Sequence, residues 1–201
     1  MYVPAHFMED NPERISALIR ENAFGMLVTA PEGRPFVSHL PFLFECAPGT
    51  QGTLRGHMAR ANPHWQHLIS GAEVLVVFQG PHAYVSPSWY GSPGVPTWNY
   101  AVAHLRGKPR LIEKESELEA LLERQTHVYE QGMPRPWKPD LVGERRSKLL
   151  GMIVGFEIEI SDIQAKFKLS QNRPAEDRSR VIAELNCSTN QTEVAVAKLM
   201  S

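Results

Sequence analysis

Three stretches hold most of the side chains that could do chemistry. Gly56-His57-Met58-Ala59-Arg60-Ala61-Asn62-Pro63 ends a strand in a polar cluster and opens a helix. A helix start offers free backbone N–H groups and the positive end of the helix dipole. Arg60 adds a planar fork of donors that suits phosphate, with His57 and Asn62 as further donors. The stretch therefore reads as an anion seat, and also as an Asn-capped helix start with a solvated arginine. The second stretch runs from Gly80 through Trp89-Tyr90 and resumes at Val95-Pro96-Thr97-Trp98-Asn99-Tyr100; it holds two of the four tryptophans. Rigid rings beside amide and hydroxyl groups suit a planar heterocycle, or equally a proline-stiffened loop packed on the core or on a partner subunit. The third is Lys166-Phe167-Lys168-Leu169-Ser170-Gln171-Asn172-Arg173. On a strand, Lys166 and Lys168 point to one face. They form a polar lip for an anionic ligand, or the charged outer face of an edge strand.

Other reactive types are sparse. His64 and His67 are spaced to share one side of a short helix, but no nearby carboxylate or cysteine completes a ligand set. A structural role is expected for them, and no metal site. Cys46 and Cys187 have no basic neighbour in sequence and form no C-x-x-C pair, so neither is read as a nucleophile. G-x-S-x-G, Walker, G-x-G-x-x-G and H-E-x-x-H motifs are absent, and no catalytic residue is assigned.

The elements that must position these groups follow from periodicity. Asn11-Pro12 starts a helix over 12–23, with Asn as cap and Pro in the first turn. Strands are expected over 24–29, 36–45 and 53–58, then a short helix from Asn62-Pro63 through Leu68. Strands over 73–78 and 83–86, broken at Gly80-Pro81, precede another over 97–105. Helices are expected over 113–130 and 139–150. A final hairpin over 152–160 and 163–169 turns at Ser161-Asp162, and helices over 175–186 and 191–200 close the chain. About seven strands joined mainly by short turns argue for an antiparallel sheet or barrel with helices outside.

Composition sets the outer limits. The chain has 201 residues with 21 Lys and Arg against 22 Asp and Glu, a formal charge of −1. No basic stripe matches the ~6–10 phosphate contacts of a typical duplex binder. The two last helices, around Cys187-Ser188-Thr189-Asn190, have a helix-turn-helix outline, but the second carries only Lys198 as a base. Arg135, Lys138, Arg145, Arg146 and Lys148 form a modest basic cluster that a dimer would double. DNA is therefore a partner that neither charge nor motif supports. No apolar run is long enough to span a bilayer, the first ten residues lack the features of a signal peptide, and the cysteine usage fits a reducing cytoplasm.

Taken in order, these stretches resemble the PaiB family of FMN-binding negative transcriptional regulators. The matching residues are Met1-Tyr2-Val3-Pro4 with Phe7, Ser38-His39-Leu40-Pro41-Phe42, and the segments 56–63, 78–90, 95–100 and 168–172. The resemblance spans nearly the whole chain. It implies a mainly β fold with flanking helices, an antiparallel Greek-key split β-barrel of the FMN-binding type shared with pyridoxamine-phosphate oxidases and flavin reductases. One domain over 1–201 is implied, with the barrel over about 12–170, a helical insertion over about 113–150 and a helical tail over about 174–201. The implied assembly is a homodimer with FMN at the subunit interface. Ser38, His39, Leu40 and Pro41 would line the ring edge, and Arg60 with His57 and Asn62 would hold the phosphate. Trp98, Asn99 and Tyr100 would come from the second subunit, and Lys168, Gln171 and Asn172 would close the site. Oxidase-type relatives carry Arg-Lys at the phosphate, where this chain has Arg60-Ala61. Whether the chain is an enzyme stays open. At most it is a flavin-dependent oxidoreductase using NAD(P)H or a small oxidant, with His39 and Tyr100 as the acid or base to test.

Overall fold

A computed structural model describes every residue except 48 and 139–141. Eight strands form one mainly antiparallel sheet, flanked by six α-helices among the described residues. In chain order they are β1 (Met8–Glu9), α1 (Pro12–Glu21), β2 (Phe24–Thr29), β3 (Phe36–Pro41), β4 (Leu43–Glu45), β5 (Thr53–Ala59), α2 (His64–Leu68), β6 (Val74–Val85), β7 (Thr97–Ile112), α3 (Glu115–Glu130), α4 (Gly143–Gly151), β8 (Ile153–Lys168), α5 (Ala175–Asn186) and α6 (Gln191–Met200). Strand order is β3-β2-β6-β7-β8-β5-β4, with β1 added to β8.

Two compact units divide the chain. The first comprises Met1–Asn22, Val77–His104 and Ile163–Ser201. Its α1 is set by Asn11, whose side chain accepts from the Glu13 and Arg14 amides, with Pro12 in the first turn. Gly80 lets α1 approach β6: a Cβ there would stand 2.4 Å from Leu18 Cδ1. Ile19, Phe78, Ala101, Ala103, Val181, Val196 and Ala197 are fully buried. Asp177, buried at the start of α5, accepts from the Gly91 amide at 2.7 Å and from the Ser92 hydroxyl. Those bonds, led by the one from Ser92, lower its pKa despite burial.

The second unit comprises Ala23–Val76 and Leu105–Asp162. Here β2 pairs with β3 from Phe24↔Pro41 to Thr29↔Phe36, and β5 pairs with β8 from Thr53↔Glu159 to Ala59↔Ile153. Leu43, Ile112, Leu118, Leu121 and Leu150 form an apolar cluster that seats α3 and α4 on the strands.

Three strands are longer than periodicity indicates. β6 runs through Gly80-Pro81, with its alternation of buried and outward residues slipping by one near His82, as an inserted residue causes. β7 continues through Arg106-Gly107-Lys108-Pro109, composition that reads as a turn. Gly107 is required there, because a Cβ would stand 2.2 Å from the Glu159 carbonyl oxygen. The expected turn at Ser161-Asp162 is strand, and the Ser161 hydroxyl donates to the Arg106 carbonyl. The single strand expected over 36–45 is instead two, divided at Phe42, whose amide bonds the Ala23 carbonyl. The helix expected from Pro139 begins at Gly143 among the described residues; its expected first turn lies outside them.

Candidate functional site

In the second unit the expected site residues gather around β3, β5 and α2. On β3, Ser38 and Leu40 face inward and are buried, while His39 faces out with its ring 6.2 Å from that of Phe24. Ser38 Oγ accepts from Asn62 Nδ2 at 3.0 Å and bonds His64 Nδ1 at 2.8 Å. Asn62 Oδ1 also accepts the His64 amide, so one side chain ties the turn before the short helix to β3. His57 bonds Gln125 of α3 at 2.7 Å, and Gln125 Nε2 reaches the Pro41 carbonyl.

Arg60 is exposed and anchored. Its Nε donates to the Gly151 carbonyl at 2.9 Å and one terminal nitrogen to the Ile153 carbonyl at 3.1 Å. These bonds satisfy acceptors at the end of α4 and the start of β8. A guanidinium has five N–H donors; two are used here, and three remain. The stretch thus presents Arg60 as an exposed cation of fixed orientation.

In the first unit, β7 and the end of β8 bring the other candidates together. Trp98 is 53% exposed, with its ring centroid 6.0 Å from that of Tyr84 and 6.2 Å from that of His82. Asn99 is fully buried and its amide exchanges bonds with Ser170 Oγ, so this side chain positions β7 against the end of β8. Ser170 takes a left-handed backbone (φ 61°). Gln171 straps that turn, its Oε1 accepting the Leu169 amide at 2.6 Å and its Nε2 donating to the Phe167 carbonyl. Asn172 is exposed on the same turn.

Lys168 Nζ donates to the Thr97 hydroxyl and to the Trp98 carbonyl. Lys166, read with Lys168 as part of a polar lip but not among the site residues the family resemblance assigns, is buried; its ammonium lies 5.5 Å from the Tyr2 ring centroid and 5.4 Å from that of Tyr100. Burial first, and then Lys166, lowers the Lys168 pKa. Among the described residues no carboxylate pairs with either lysine. The i,i+2 spacing was the signal for Lys166. What spacing could not supply was the ring on either side of it.

The Thr29 hydroxyl lies between His64 and His67, at 2.9 Å from a ring nitrogen of each. Among the described residues no group of three or more His, Cys, Asp or Glu side chains could hold a metal, and no helix is long and apolar enough to cross a membrane.

The antiparallel sheet carries, in one unit, an exposed and anchored Arg60 of the kind that anions take and, in the other, an exposed Trp98 of the kind that planar ligands take, which defines the chain as a ligand-binding class of β protein to compare with known ones. Residues 1–162 match the family model described as "Putative FMN-binding domain". The chain is 41% identical over its full length to the "Protease synthase and sporulation protein PAI 2" of Bacillus subtilis, covering 96% of that protein. Among solved structures, the flavocytochrome Anf3 of Azotobacter vinelandii shares the fold at 15% identity and a TM-score of 0.65, over 89% of this chain and 78% of that one. A FAD and heme binding protein of Mycobacterium smegmatis does so at 18% identity and a TM-score of 0.60, over 86% and 78%. This chain belongs to the PaiB family of FMN-binding domains. The expected fold, mainly antiparallel β with flanking helices in the split-barrel manner, and the expected cofactor, FMN, both hold.

Proposed function

We propose that the chain is a cytoplasmic homodimer that binds FMN at the subunit interface and acts as a PaiB-type negative regulator of transcription. The observation that carries the cofactor part is the pair Lys166 and Lys168, two cations side by side with aromatic rings and no carboxylate partner among the described residues. Uncompensated positive charge of this kind favours an anionic ligand. Arg60, with three donors left, fits a phosphate monoester, and His57 and Asn62 flank it in sequence.

In this reading Ser38, His39, Leu40 and Pro41 supply the strand along which the FMN ring lies, and Arg60, His57 and Asn62 form the phosphate side. The second subunit contributes Trp98 as a stacking ring and Tyr100 as a hydroxyl, with Asn99 positioning both. Lys168, Gln171 and Asn172 close the site. FMN supplies a redox-active ring. The protein's own groups bind and orient it, and none of them is assigned a catalytic step. Direct contact with DNA has little support in a formal charge of −1, so regulation through a partner protein or a local, dimer-dependent contact fits better.

Titration with FMN, followed by quenching of flavin fluorescence, tests the cofactor part: saturable quenching is expected, and its absence refutes it. Anaerobic mixing of the FMN-loaded chain with NADPH or NADH tests the regulator against a reductase. Bleaching at turnover rates would replace the regulatory reading with an enzymatic one.

A further inference from the structure

Five side chains of the second unit form one unbroken hydrogen-bonded line. Asn62 Nδ2 donates to Ser38 Oγ; Ser38 Oγ and His64 Nδ1 are 2.8 Å apart; Thr29 Oγ1 is 2.9 Å from both His64 Nε2 and His67 Nδ1. His64 is fully buried, Ser38 and Thr29 are buried, and His67 is half-buried and ends the line toward solvent. The Phe36 ring covers both imidazoles at centroid distances of 4.7 and 5.2 Å. Among the described residues no carboxylate pairs with either imidazole, so the line has no fixed charge to pin one tautomer.

Each hydroxyl has one hydrogen, and each neutral imidazole has one N–H on either of two nitrogens. The line from His67 to Ser38 can then be satisfied in two ways. In the first, His67 Nδ1–H donates to Thr29, Thr29 donates to His64 Nε2, and His64 Nδ1–H donates to Ser38. Ser38 then accepts twice and keeps its own O–H for an outside acceptor. In the second every bond is reversed: Ser38 donates to His64 Nδ1, His64 Nε2–H donates to Thr29, and Thr29 donates to His67 Nδ1. Ser38 is then left with a lone pair for an outside donor.

We propose that this line is a proton relay between solvent at His67 and the Ser38 position of β3. A proton joins His67 Nε2 and the Nδ1 proton passes to Thr29. The Thr29 proton passes to His64 Nε2, the His64 Nδ1 proton passes to Ser38, and the original Ser38 proton leaves to a basic ligand atom. One proton enters and one leaves, every residue ends neutral, and no heavy atom has to move. Burial keeps His64 neutral near pH 7, which suits a relay that works by tautomer exchange. The ligand end rests on the reading that FMN lies along β3, because FMN takes up a proton when reduced. The line itself does not rest on that reading.

Thr29 is the position to vary, since replacing His64 endangers the fold. In the ligand-free chain carrying nitrogen-labelled histidine, both His64 ring nitrogens are expected at NMR positions averaged between protonated and bare. Thr29→Ser should keep that averaging, and Thr29→Val should abolish it. A single fixed His64 tautomer in the unsubstituted chain overturns the relay, whether or not FMN binds. In the FMN-loaded chain, dithionite reduction with a pH-indicator dye should show proton uptake slowed about tenfold by Thr29→Val, at unchanged FMN affinity. Equal uptake rates overturn the relay. Failure of the unsubstituted chain to take up FMN overturns the cofactor reading instead, and the histidine spectrum then decides the relay alone.

Discussion

Burial, and secondarily the neighbouring His67, push the His64 imidazole down from 6.5 to about 4. Between those values the unfolded chain binds a proton that the folded chain refuses, so stability is complete above about pH 6.5 and falls as pH drops toward 4. The loss amounts to about 3 kcal/mol, and denaturant unfolding followed against pH measures it. The lysine pair makes a second prediction. Lys168→Ala should weaken FMN binding about tenfold, or about 1.4 kcal/mol, read by flavin fluorescence. Because burial and Lys166 lower the Lys168 pKa, binding by the unsubstituted chain should begin to fail on the alkaline side before the ordinary lysine range. Residue types made these positions visible in the sequence. Their partners were not visible: nothing in the spacing of Arg60 says that the Gly151 and Ile153 carbonyls accept its hydrogen bonds, and nothing near Ser38 says that it meets His64.

At the scale of elements, the local signals were reliable wherever a helix carried its own cap. Asn11-Pro12 and Asn190 start α1 and α6 where caps belong, and α5 and α6 have the bounds that periodicity indicates. Asn11→Ala should cost about 1 kcal/mol in unfolding free energy. Apart from β1, over which no strand was expected, strands were legible in their existence and poorly legible in their extent. The Arg106-Gly107-Lys108-Pro109 segment of β7 has turn composition, and only the approach of Glu159 from β8 explains the glycine. Gly107→Ala should therefore cost about 2 kcal/mol or more, since the added methyl meets backbone that cannot step aside. Thermal unfolding checks it. Ser161-Asp162 misled for a related reason: a polar pair imitates a turn when its hydroxyl is in fact bonding the next strand.

For the whole molecule, the proposed homodimer predicts a solution mass of twice 22.6 kDa by sedimentation or light scattering, independent of added FMN if the interface is preformed. β6, β7 and β8 each pass through both units, so neither unit can be excised without cutting all three strands. Limited proteolysis should therefore release no stable half.

The first strand carries a consequence for the order of events during synthesis. Among the described residues β1 pairs with the end of β8 alone, Met8 against Lys166 and Glu9 against Ala165, and the Met1 nitrogen bonds Gln164, 163 residues away along the chain. At about 5–20 residues per second, a ribosome makes that partner roughly 8–30 s after residues 1–9. Through that interval Met8 and Glu9 have no strand to join. Met8 and Glu9 are therefore paired late, after nearly every other strand of the sheet has been made.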